Sequence, residues 1–182
     1  IFRGSEKNKL NRWYNCAKKF KLKFFHTVDA DDPYFDPVTI KKSLQQCKKK
    51  FDIVYPSKIS QNGGASEGYS FSLDSITKLN QIISKKFKNT DSLDTEMIEK
   101  FINKKEFNIK EFKGSSYELK KLRLTLDYIE DYNMIKKIYE VLGSFPSRSK
   151  VNTYLKKNNN IIKINYFRKK DWKIKQNISL KR

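Results

Sequence analysis

Two acidic stretches, Val28-Asp29-Ala30-Asp31-Asp32-Pro33 and Leu124-Thr125-Leu126-Asp127-Tyr128-Ile129-Glu130-Asp131, hold the residues of this chain best suited to chemistry. The first follows the apolar run Phe24 to Val28. The second ends the alternating run Leu122-Arg123-Leu124-Thr125-Leu126. Each is therefore expected to close a strand and deliver a carboxylate at the strand's C-terminal edge. In an open α/β sheet, ligands bind at that edge. Two carboxylates brought together there, with room left for water and phosphate oxygens, suit Mg²⁺ better than a cage built wholly of protein would. Phosphoryl or nucleotidyl transfer is the chemistry such a pair serves.

The elements that must position these acids follow from periodicity and caps. Leu10, Trp13, Tyr14, Ala17 and Phe20 recur at helical spacing, so a helix is expected over residues 7 to 20, leading into a strand at 23 to 29. Asp36-Pro37 supplies an N-cap and a first-turn proline for a helix carrying Ile40, Leu44, Cys47 and Phe51. Asp52 to Tyr55 reads as the next strand, and Pro56 to Gly68, with Gly63-Gly64, as a loop at its end. Helices are expected through Leu73 to Ile83, from Asp94 to Ile102, and from Glu130 to a stop at Gly143. Two more strands are expected around Phe107 and Ile109 and over Leu122 to Leu126. Strands that alternate with helices predict an α/β fold, a three-layer α/β/α sandwich around a mostly parallel sheet. Residues 1–144 form this expected domain, and residues 145–182 a basic helix, around Val151-Tyr154-Leu155, and tail.

Composition narrows the function classes. The chain has 182 residues, is 37% hydrophobic, and carries a formal net charge of +20. Such a charge raises nucleic acid or an anionic membrane as partner. Its distribution argues otherwise. Residues 145–182 hold 12 Lys/Arg and one acid, or +11, whereas residues 1–144 hold 28 Lys/Arg and 19 acids, or +9 over a much longer stretch. Cys16 and Cys47 fall on apolar helix faces and read as reduced core thiols, which fits a cytoplasmic setting. No apolar run approaches the roughly 20 residues that span a bilayer. The opening Ile1-Phe2-Arg3-Gly4-Ser5 reads as a strand end entering a loop, so the chain is expected to begin inside a larger protein.

Taken together, these motifs resemble the cytidylyltransferases of the spore-coat-polysaccharide type, related to the synthetases that make CMP-activated Kdo and sialic acids. Phe2-Arg3-Gly4-Ser5-Glu6 with Leu10-Asn11-Arg12-Trp13-Tyr14 looks like that family's loop and helix after its third strand. Val28 to Pro33 with Asp36-Pro37 looks like its central acidic turn. Gly64 to Phe71 looks like its sugar-side loop, and Leu122 to Tyr139 like its late strand, Asp-x-x-x-Asp turn and helix. The resemblance implies a nucleotide-diphospho-sugar transferase-like fold, N-terminally incomplete, because no Gly/Arg/Lys-rich nucleotide loop precedes Ile1. It implies CTP and a sugar as substrates, Mg²⁺ as cofactor, and a homodimer element near residues 92–112. By position in the motifs, Asp31 and Asp127 would be the catalytic Mg²⁺ ligands, and Asp29 would stand behind them or face the sugar. Glu67, beside Gly64 and Gly68, would accept hydrogen bonds from sugar hydroxyls. Arg123 would meet a substrate anion or pair with the acidic cluster, and Asp131 would cap the helix that follows.

Two rivals remain open at this stage. Asp29-Ala30-Asp31 is also a literal Asp-x-Asp, as in glycosyltransferases that bind a nucleotide-sugar through a metal. The stretch from Lys150 to Arg182 could make a basic RNA-binding module, although strand-end acids would repel phosphate unless a metal intervened.

Overall fold

The computed structural model describes residues 1–56, 68–112 and 121–181, and everything below concerns these residues. They divide into two compact units. The first comprises residues 1–27, 41–55 and 69–111, and the second residues 28–40, 56–68 and 112–182.

The first unit is built on a mixed four-stranded sheet in the order β1-β3-β2-β4, with β1 at Phe24–His26, β2 at Ile53–Tyr55, β3 at Ser70–Ser72 and β4 at Ile109–Glu111. β3 runs antiparallel to both β1 and β2, and β2 pairs with β4 in parallel. The expectation of a mostly parallel sheet is therefore corrected for the described strands. β3 is the strand that the sequence conceals, because its polar Ser70 is fully buried and bonded inward to the imidazole Nδ1 of His26 and the hydroxyl of Ser43, each at 2.8 Å.

Helix α1 spans Lys9–Lys19 and is capped by Asn8, whose Oδ1 accepts from the Asn11 amide at 2.9 Å. It ends in a Schellman turn: Leu22 donates to the Ala17 carbonyl at 2.9 Å, and Lys21 takes the left-handed conformation, φ 53°, more usual for glycine. Helix α2, Pro37–Lys49, starts on Asp36, which accepts from the Thr39 amide and hydroxyl, as the Asp36-Pro37 pair predicts. Helix α3, Leu73–Lys86, is capped by Ser72. The core of this unit gathers Leu10, Ile53, Phe71, Ile76, Leu79 and Ile83, with Phe71 fully buried against the rings of Trp13, Phe25 and Tyr69. The helix expected over residues 94–102 is reduced to a 3₁₀ turn, Ile98–Lys100. Thr95 explains the difference. It is fully buried and tied to the start of α1, its amide donating to Lys7 O and its hydroxyl accepting from the Leu10 amide.

The second unit is helical, with α4 at Ile129–Leu142, α5 at Arg148–Lys157, α6 at Asn159–Ile162 and α7 at Arg168–Lys181. α4 stops at Gly143, φ 80°, where the sequence places its end. Tyr34, Leu122, Leu124, Met134 and Ile138 pack with Val151 and Leu155, on the helix expected there, and with Ile161 and Ile162 from the stretch read as tail. Leu122 to Leu126 joins no ladder. Its alternation does not mark one wet and one dry face, since Leu122, Arg123, Leu124 and Thr125 are all buried. No described helix is long and apolar enough to cross a membrane.

Removing the Phe71 ring would leave a cavity that its three aromatic neighbours cannot fill. Phe71→Ala is expected to cost about 3–5 kcal/mol of unfolding free energy in urea titrations. A loss below about 1 kcal/mol would contradict this account of the core.

Candidate functional site

The first acidic motif is a turn. Asp32 donates its amide to Asp29 O at 3.1 Å and Phe35 donates to Asp32 O at 3.3 Å, leaving Asp31 exposed, Asp29 half-buried and Asp32 buried. This turn is tied to the second motif by one backbone bond, from the Leu126 amide to Asp31 O at 2.8 Å. Asp31 therefore lies beside the residue that precedes Asp127.

Asp127 is held from behind by Arg123, whose side chain has no solvent exposure. Arg123 Nε donates to Asp131 Oδ1 at 2.9 Å and Nη2 to Asp131 Oδ2 at 2.8 Å, a two-pronged pairing with a carboxylate that is itself fully buried. The same Nη2 donates to Asp127 Oδ2 at 2.6 Å. Burial alone would push the guanidinium's pKa down. The hydrogen bonds and charge of Asp131, and then of Asp127, outweigh that effect and hold Arg123 above its ordinary value.

Asp131 also accepts the backbone amides of Asp127 and Tyr128, both at 3.0 Å, and so caps α4 as its place in the sequence predicts. Asn165 completes the cluster. It is fully buried, and its Nδ2 donates to Asp131 Oδ1 at 2.8 Å and to Arg123 O at 2.9 Å.

Arg123, Asp127 and Asp131 taken by themselves sum to −1, with Lys169 close enough to Arg123 to feel its charge. Asp131 is sealed, whereas the Asp127 side chain keeps 34% of its surface exposed, so the surplus charge is available at Asp127. Asp127 is engaged through Oδ2 alone, by Arg123 and more distantly by Thr125 Oγ1 at 3.4 Å. At the periphery, Arg168 bonds to both oxygens of Glu130 at 2.8 and 3.0 Å. These bonds hold the Glu130 carboxyl below its usual pKa, so the pair's stabilisation is present above that range and is lost as pH falls through it. The Tyr128 ring carries Arg123, Arg168 and Lys175 within about 5 Å of its centroid.

The donor set can be tested against Mg²⁺. Among the described residues no three His, Cys, Asp or Glu side chains converge on one point, so an all-protein cage is absent there. Asp31 is exposed and Asp127, one residue beyond the Leu126-to-Asp31 bond, is partly exposed, and two such carboxylates suit a hard cation whose other positions are filled by water and substrate phosphate. The residues present fit that ion.

Of the residues singled out in the sequence, Asp29 and Asp31 share the turn that the Leu126 amide bonds at Asp31 O, Asp127 follows Leu126 in the chain, and Arg123 is committed to Asp127 and Asp131. Gly64 and Glu67 lie outside the described residues. Asn165 was not legible as part of the site, since one asparagine in an Asn/Lys-rich stretch carries no distinguishing pattern.

No family model matches the chain, and no curated protein matches it. Among solved structures, the chain is similar to a cytidylyltransferase from Leptospira borgpetersenii serovar Hardjo-bovis, with 22% identity, a TM-score of 0.71, and coverage of 89% of this chain and 68% of that one. At that identity, the likeness establishes the α/β fold that the two chains share.

The cluster makes a stability prediction that separates its two acids. Asp131→Asn leaves Arg123 without its buried counter-charge and should cost about 3–5 kcal/mol. Asp127→Asn removes a partly exposed partner and should cost about 1 kcal/mol or less. Urea unfolding of both variants checks this, and equal costs would contradict the division of roles.

Proposed function

We propose that this chain carries the metal-binding acids of a nucleotidyltransferase that activates a sugar with CTP, giving a CMP-sugar and pyrophosphate for surface polysaccharide or glycan synthesis. The observation that supports it most is the Leu126-to-Asp31 bond, which sets two acidic turns side by side with Asp127 held from behind by Arg123. The likeness to the Leptospira cytidylyltransferase agrees with that choice, and the motif resemblance points within it to the spore-coat and CMP-Kdo type. The proposal includes a three-layer arrangement in the whole enzyme, a cytoplasmic setting and a homodimer contact near residues 92–112.

In the proposed reaction, a sugar hydroxyl oxygen attacks the α-phosphorus of CTP in line. The bond from that phosphorus to the bridging oxygen breaks, pyrophosphate leaves with the bonding pair, and the hydroxyl proton passes to solvent or a nearby base. Mg²⁺ held by Asp31 and Asp127 would supply neutralisation of charge on the phosphate oxygens. The chain's own contribution is to hold the Asp127 carboxylate on Arg123 and to set the Asp31 turn against Leu126 before substrate arrives, so that less reorganisation is needed at the moment of transfer. Asp29, in the same turn as Asp31, would face the sugar. Glu67 and Gly64 would border it, and Arg123 would act on the substrate only through the acids it holds.

Pyrophosphate release from CTP with Mg²⁺ and a panel of acidic and amino sugars tests the proposal, using the chain alone and extended N-terminally. Release is expected to be lost by about 10²-fold or more in Asp127→Asn while the circular dichroism spectrum stays unchanged. Retained turnover in that variant would overturn the assignment. Sugar transfer from a nucleotide-sugar, with no use of CTP, would move the function to a metal-dependent glycosyltransferase.

A further inference from the structure

We infer that Asn165, in the segment between α6 and α7, is a positioning residue that keeps Asp127 ready for a divalent cation. The inference rests on the reading of Asp127 as a metal ligand and assigns the C-terminal part of the chain a role in that site. Nothing in the acidic motifs themselves contains it.

The chain of contacts is short, and its central members are buried. Asp131 Oδ1 has two donors, Arg123 Nε and Asn165 Nδ2, while Oδ2 has three, Arg123 Nη2 and the amides of Asp127 and Tyr128. Among the described residues Asn165 is thus one of two groups on Oδ1, and through Arg123 O it also fixes the backbone from which the guanidinium projects. Arg123 in turn divides its Nη2 between Asp131 and Asp127.

Without Asn165, Oδ1 keeps one donor of its two and the Arg123 carbonyl loses the bond that fixes its backbone, so the Asp131–Arg123 pair rests on fewer contacts. The guanidinium keeps both Asp131 oxygens as acceptors, but the backbone it projects from can shift. A shift toward Asp127 lets it engage both oxygens of that carboxylate, a geometry Arg also favours with a planar acid. An Asp127 paired in that way offers a cation less charge and no unengaged oxygen. Asn165 prevents this by holding Asp131 as the primary partner of Arg123. Groups behind metal ligands commonly shift affinity by about 10–100-fold when removed.

Mn²⁺ is the probe. Its dissociation constant is read by electron paramagnetic resonance, under conditions where each protein is folded by circular dichroism, for the wild type, Asp127→Asn, Asn165→Leu and Asn165→Ala. The alanine variant serves if leucine prevents folding. Asn152→Ala is the control, because Asn152 is buried in α5 but makes none of the cluster's bonds described above. The expected result is that Asp127→Asn loses Mn²⁺, both Asn165 variants bind it about 10-fold or more weakly, and Asn152→Ala binds as wild type whatever its melting temperature. If Asp127→Asn loses Mn²⁺ while the Asn165 variants keep wild-type affinity, Asn165 is structural only and the positioning role is overturned. If wild type and Asp127→Asn bind Mn²⁺ alike, Asp127 is not a metal ligand, and the inference falls together with the reading beneath it.

Discussion

The guanidinium of Arg123 is fully buried, and a charge in that position cannot stand alone. Its need for a counter-charge organises the second unit. Asp131 answers it with both oxygens, and by accepting two backbone amides the same carboxylate starts α4. One ion pair therefore fixes the direction of a helix, the conformation of the turn before it and the placing of Asp127. A buried pair of this kind adds little net stability over well-packed apolar residues, but breaking it is costly. Its value here lies in specifying one geometry.

That geometry has an electrical consequence. Two acids share one cation, the sealed acid takes most of the pairing, and the surplus negative charge falls on the acid that solvent can reach. A site organised in this way holds its charge before any ligand arrives, as catalysis by fixed electrostatics requires. The apolar residues of α5 and α6 contribute by closing the cluster around Leu122 and Leu124, which flank Arg123 in sequence. The helix expected around Val151-Tyr154-Leu155 and the residues after it thus help to enclose the ion pair.

Much of this was legible in the sequence wherever a local physical signal exists. Asp36-Pro37 and Gly143 mark helix ends by cap chemistry, and α1 to α4 follow from apolar positions at helical spacing. The acidic turns stood out in the sequence as a matched pair, since an aspartate in a single turn is common and carries little signal alone. What stayed hidden depended on partners distant in sequence. β3 escaped notice because a buried serine satisfied by His26 looks like a loop serine. The helix near Thr95 shrank to one turn because Thr95 bonds back to the start of α1. Leu122 to Leu126 alternates like a strand, yet its polar positions are buried as ion-pair and core residues. Asn165 acts through residues more than thirty positions away, and no spacing announces it.

The central claim is that Asp31 and Asp127 together receive one divalent cation. The most direct measurement is anomalous X-ray diffraction from crystals of the chain grown with Mn²⁺ and CTP. The account predicts a manganese peak in contact with carboxylate oxygens of both residues, with Arg123 still paired to Asp131. A peak bound by other residues, or a well-ordered Asp31 and Asp127 with no metal between them at saturating Mn²⁺, would contradict it.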